Sequence, residues 1–266
     1  MKKWKIISMA FCFGYIIFAQ SCLRMRTNDK ESFSIFNQAK VKLQINNFTD
    51  GNLTIHYAKT GNDTGSIIVF IHGSPGDWHA FQTYLLDTHL IAKYQLISID
   101  RPGFGYSNFN QAQNLFTQTR IINQFIESVA KGKKVYLVGH SYGGPLVASI
   151  ASTNKNISGI VIIAGALSLA LEKPEKWRKL FIDNPFQYLA PGALRPSNYE
   201  LWWLKNDLEI LSKKLSDIHC KAIIIHGTKD RLVDYGNLQF MKQTFTKVDT
   251  LKAITIKEED HFIPWT

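Results

Sequence analysis

Between residues 66 and 256, short apolar runs alternate with segments in which apolar side chains recur every three or four positions. The runs are 66–71 (SIIVFI), 94–99 (YQLISI), 135–138 (VYLV), 157–163 (ISGIVII), 221–225 (KAIII) and 251–256 (LKAITI). Nearly uncharged runs rich in β-branched residues predict strands buried on both faces of a parallel sheet. The helical spacing covers 79–92, 116–130 and 236–246, and starts again after Tyr142 with Leu146, Val147 and Ile150. Ahead of this, 41–47 and 53–59 flank Asp50-Gly51, a hairpin signal. Strands alternating with helices after an opening hairpin predict an α/β domain with a mostly parallel sheet.

The N-terminus follows a different pattern. MKKWK is basic, residues 6–19 are apolar, and Ala19-Gln20-Ser21-Cys22 follows. A basic start, a short apolar stretch and small residues before a cysteine predict an export signal over 1–21. Small residues before a cysteine resemble a bacterial lipobox, which implies lipidation at Cys22. Gln20 and Ala19 depart from the usual form of that motif. The implied protein is exported and anchored to a membrane, facing the periplasm or the cell surface. Residues 22–39 are polar and mixed, and read as a tether into a domain over 40–266.

Composition adds limits. The 266 residues are 45% hydrophobic and 20% charged, enough for one domain with a full core. The net charge of +10 is spread out, with no long basic block and no nucleic-acid motif, so no nucleic-acid partner is expected. Outside Cys12 and Cys22, Cys220 stands alone, so the domain has no internal disulfide. No Cys or His pair has metal-ligand spacing, and neither a metal nor another cofactor is expected.

In open α/β sheets, functional groups gather beyond the carboxyl ends of the strands. Five strand ends here carry glycine-rich or titratable loops: His72-Gly73-Ser74-Pro75-Gly76, Asp100-Arg101-Pro102-Gly103-Phe104-Gly105-Tyr106-Ser107, Gly139-His140-Ser141-Tyr142-Gly143-Gly144, His226-Gly227-Thr228-Lys229-Asp230, and His261-Phe262. The third is G-x-S-x-G, in which glycines relieve crowding around a serine on a sharp strand-to-helix turn. A serine there could also be a simple helix N-cap. Taken together, the five loops resemble those of the α/β-hydrolases, in the same Ser…Asp…His order, over roughly residues 40–265.

The resemblance implies an α/β-hydrolase fold, with a mostly parallel central sheet flanked by helices and a helical cap inserted at about 167–217. It implies Ser141 as nucleophile, His261 as base and Asp230 as the acid, with Asp234 the alternative. It also implies an oxyanion hole from the backbone N–H groups of Ser74 and Tyr142. Pro75 has no N–H to give. The chain departs from the family by ending five residues past His261, where members usually continue into a helix, so the histidine loop is expected to be less well supported. The cap region is rich in aromatic residues, each a better candidate for packing than for substrate contact. Trp78 and Phe262 flank the loops and are the substrate-binding candidates.

A serine nucleophile implies an acyl-enzyme, and so an ester, thioester or amide substrate, of which a small apolar ester is the one expected. Carbon–carbon bond hydrolysis, aminopeptidase activity and a non-catalytic binding lipoprotein are the alternatives. An aspartate-based alkyl-enzyme, as formed by family members that open epoxides, does not suit Ser141.

Overall fold

A computed structural model describes residues 2–266. Met1, the first residue of the expected export signal, lies outside the described residues. The elements run α1 (Lys2–Ser21), α2 (Asp29–Gln38), β1 (Gln44–Asp50), β2 (Leu53–Gly61), β3 (Ser66–Ile71), α3 (Gln82–Leu85), α4 (Thr88–Lys93), β4 (Tyr94–Ile99), α5 (Leu115–Ala130), β5 (Val135–His140), α6 (Gly143–Thr153), β6 (Ile157–Ile163), α7 (Leu194–Ser212), β7 (Lys221–Gly227), α8 (Gly236–Thr244) and β8 (Leu251–Ile256).

The eight strands form one sheet in the order β1-β2-β4-β3-β5-β6-β7-β8. β1 and β2 form the hairpin expected around Asp50-Gly51, and β2 lies antiparallel on β4. The pairings from β4 through β3 and β5 to β8 are parallel. Alternate residues of a strand face opposite sides of the sheet. Thus Ile67, Val69 and Ile71 join a core with α5, α6, α7 and α8, while Phe70 joins a second core with Trp78, Phe81 and Leu85. Every parallel strand ends on one edge, which places the five loops together.

Two regions hold structure that the sequence pattern does not show. Within the expected tether, Asp29–Gln38 form α2. Asn28 caps α2 by accepting from the Lys30 N–H, and Phe36 is fully buried near Trp78, with ring centroids 6.2 Å apart. Its polar composition hides a helix held by one aromatic anchor. In the cap, short 3₁₀ turns at Lys176–Phe181 and Pro185–Leu189 precede the long α7. Pro196 does not interrupt that helix. It occupies the first turn, where a missing N–H breaks no bond.

Candidate active site

Ser141 follows β5 directly, with φ of 54° in the left-handed region. For a residue with a Cβ this costs on the order of 1–2 kcal/mol. The surroundings hold the turn in place. The Ser141 N–H donates to the Ile163 carbonyl at 3.0 Å, and its own carbonyl accepts from Gly144 at 2.9 Å. The chains approach too closely here for side chains. A Cβ on Gly139 would sit 2.3 Å from the Gly143 oxygen, and one on Gly143 2.2 Å from the Ile71 oxygen. The serine is therefore presented at the start of α6, where backbone N–H groups point outward.

The loop after β3 lies against this turn. A Cβ on Gly73 would come within 3.0 Å of the Ser141 Cβ. His72 orders the loop. Its Nδ1–H donates to the Gly73 carbonyl at 2.7 Å, and its Nε2 accepts the Arg101 N–H at 3.1 Å. Burial and the Arg101 charge hold its pKa well below the usual histidine value, as suits a neutral ring with one nitrogen donating and one accepting. Among the described residues, neither the Ser74 N–H nor the Tyr142 N–H donates to another protein group. The Tyr142 ring is fully buried and lies 4.7 Å from the Arg101 guanidinium, so its backbone is firmly seated.

Asp230 and His261 meet. The His261 Nδ1–H donates to Asp230 Oδ2 at 2.7 Å, and the acid's Oδ1 accepts the Leu232 and Val233 N–H groups at 2.9 and 2.8 Å. Burial alone would raise the Asp230 pKa. Hydrogen bonds from His226, His261 and the Val233 backbone outweigh it and hold the group well below the ordinary carboxylate range. The two loops are also joined through backbone. Lys229 N–H donates to the Glu259 carbonyl at 2.9 Å, and a Cβ on Gly227 would strike that same oxygen at 2.3 Å. Asp234 does not take part: its Oδ1 accepts the Gly236 N–H at 2.7 Å, at the start of α8.

His261 lies beside the serine turn through His140, the residue preceding Ser141. The His140 Nε2–H donates to the His261 carbonyl at 2.8 Å, and the two rings lie 4.7 Å apart. No hydrogen bond joins Ser141 Oγ to His261 among the described residues. The residues that follow His261 support its loop. Tyr84 donates to the Pro264 carbonyl at 2.9 Å, Trp265 donates to Ala80, and the Trp265 ring packs edge-on against His140.

The two substrate candidates part ways. Phe262 is 51% exposed beside the His261 ring. Trp78 is fully buried with Phe36 and Phe81 and stacks on His79, so the expectation that it contacts substrate is corrected: it is a core residue. Three further residues, to which the sequence assigns no role, contact these loops. His226 places Nε2 3.2 Å from Asp230 Oδ2 while donating to the Val233 carbonyl. Arg101 and Glu200 form a fully buried bidentate pair at 2.7 and 2.8 Å. Arg101 also donates to the His72 and Gly73 carbonyls, so α7 of the cap is tied to the loop beside the serine. Ser74 Oγ donates to Ser197 Oγ at 2.8 Å, making a second tie to α7. Arg101 was visible in its motif, but Glu200 is 99 positions away and no local pattern marks it.

Residues 66–192 match the profile of the alpha/beta hydrolase fold family, a stretch holding the serine turn and ending before Asp230. The chain has the α/β-hydrolase fold, and just under half of it is similar to that family. It is 23% identical over 175 residues to epoxide hydrolase 3 of Xenopus tropicalis, covering 63% of this chain and 46% of that one. It is 28% identical over 170 residues to the AB hydrolase superfamily protein YfhM of Bacillus subtilis (strain 168), covering 60% and 58%. The chain thus spans about half the length of these curated relatives. The solved structure of a membrane phospholipase A, described as a bacterial virulence factor, superposes with a TM-score of 0.63 at 17% identity, covering 98% of this chain and 93% of that one.

Proposed function

We propose that this α/β-hydrolase is an exported, membrane-anchored serine hydrolase that cleaves small apolar carboxylic esters through an acyl-enzyme. The observation that carries the reading is the 2.7 Å Asp230–His261 pair, held through His140 beside a serine in a strained turn. In this reading the Ser141 hydroxyl loses its proton to His261 Nε2 as its oxygen bonds to the ester carbonyl carbon. The carbonyl electrons move onto oxygen, where the Ser74 and Tyr142 N–H groups hold the charge; one such donor is worth about 3 kcal/mol. Collapse breaks the bond to the alcohol oxygen, which takes the proton from His261. Water then repeats the sequence and frees the acid. Asp230 stays ionised, fixes the ring and stabilises the imidazolium.

Two comparisons point in different directions. Five of the relatives are epoxide hydrolases, but a stable alkyl-enzyme needs a carboxylate at the turn, and this chain has Ser141 there. The superposed phospholipase acts on an ester and resides at a membrane by its description. That agrees with acyl transfer and with an anchor at Cys22, whose backbone sits against Gly192.

Fluorophosphonate labelling tests the chemistry. The wild type should label, and Ser141→Ala and His261→Ala should each label at least about 10⁴-fold more slowly while keeping the wild-type circular dichroism. Labelling that survives in Ser141→Ala overturns the assignment. A folded wild type that resists the probe removes the enzymatic reading and leaves a binding protein.

A further inference from the structure

The cap carries an apolar and cationic surface that the proposed chemistry does not use. Trp177 is 50% exposed, Leu180 62%, Phe186 59% and Tyr188 43%. Lys173, Lys176 and Lys179 are exposed among them. Leu23 and Met25 continue the apolar surface, with exposed Arg24 between them. Exposed aromatics interleaved with lysines are the composition of a segment that sits at a lipid headgroup layer.

Where α1 is retained, it fixes the position of this surface. Residues Lys3–Ser21 are long and apolar enough to cross a bilayer, and almost none of that helix is covered by the rest of the chain. At 1.5 Å per residue the span is about 28 Å, close to the ~30 Å hydrocarbon thickness. The cap holds the end of this helix. Tyr15 donates to the Leu189 carbonyl at 3.3 Å, and Gln20 Nε2 to those of Tyr188 and Ala190 at 2.8 and 3.2 Å. Gly192 N–H donates to the Ala19 carbonyl at 3.0 Å. Tyr15 lies six residues before Ser21, or about 9 Å along the axis. The 188–190 segment therefore runs beside the last ~9 Å of the helix, a depth matching that of an interfacial apolar face. If the chain is instead cut before Cys22 and lipidated there, the lipid joins the chain next to Gly192, on the same side of the cap.

We infer that residues 173–190 of the cap are a docking surface for the anionic bilayer that holds the chain's own N-terminus. The apolar side chains Trp177, Leu180, Phe186 and Tyr188 enter the headgroup layer, and Lys173, Lys176 and Lys179 lie over anionic lipid. The inference rests on the membrane attachment proposed above, so its test reads the two separately.

The full chain is reconstituted into vesicles of phosphatidylglycerol and phosphatidylcholine and compared with a Leu180→Ser/Phe186→Ser variant. Flotation through a density gradient reports attachment, and amide hydrogen exchange across 173–190 reports docking. Both proteins should float, and exchange across 173–190 should be several-fold slower in the wild type, with β7 protected alike in both. Wild type that floats but exchanges at the variant's rate overturns docking and leaves attachment standing. Wild type that fails to float overturns attachment and docking together. Protection that rises with protein concentration without lipid assigns the surface to a second copy of the chain and also overturns the inference.

Discussion

His140 shows how a residue with no proposed chemical step can set the conditions under which the site exists. Burial pulls its pKa down to about 4, against ~6.5 for an unfolded histidine. Between these values the unfolded chain takes a proton that the folded chain refuses, so the unfolded state gains as pH falls. The contribution is complete above pH ~6.5 and is lost on acidification toward 4, at up to ~1.4 kcal/mol per pH unit. His72 acts in the same sense. Urea unfolding from pH 7 to 4.5 should show stability falling with acid. His140→Gln, which keeps a donor for the His261 carbonyl, should have a curve flatter by about 1 kcal/mol per pH unit. An unchanged slope would show that His140 does not carry the linkage.

At the scale of elements, the tie between α7 and the loop beside the serine is ionic and fully buried. Removing one partner of such a pair strands the other charge, at a cost of about 3–5 kcal/mol. Glu200→Ala should therefore destabilise the protein by that amount in chemical denaturation, and Glu200→Gln by less, since its amide oxygen still accepts from Arg101. A Glu200→Ala protein of wild-type stability would deny the pair its structural role. This tie also marks where sequence reading stops. The strands were legible because apolar runs and their glycine-rich ends are local, and so the Ser141, Asp230 and His261 loops could be placed on one edge. The coupling of His226 to Asp230, four residues on, depends on the shape of the turn between them, whereas Glu200 and the burial of Trp78 depend on partners far along the chain. The helix α2 escaped notice for the same reason: its anchor Phe36 has meaning only beside Trp78.

At the scale of the whole molecule, the sheet, the cap and the N-terminal helix form one connected body. The sheet presents the loops at one edge, α7 crosses above them, and the 3₁₀ turns of the cap reach α1. The buried Arg101–Glu200 pair has a kinetic consequence. A cover fastened by ions without water cannot swing aside cheaply, because opening would break both charge-assisted bonds at once. The protein should then have no shut, latent form waiting for an oily surface. With a short-chain ester, initial velocity should follow a single smooth saturation curve through the concentration at which the ester begins to form micelles, with no lag phase. A sharp break upward at that concentration would mean that the cover opens after all.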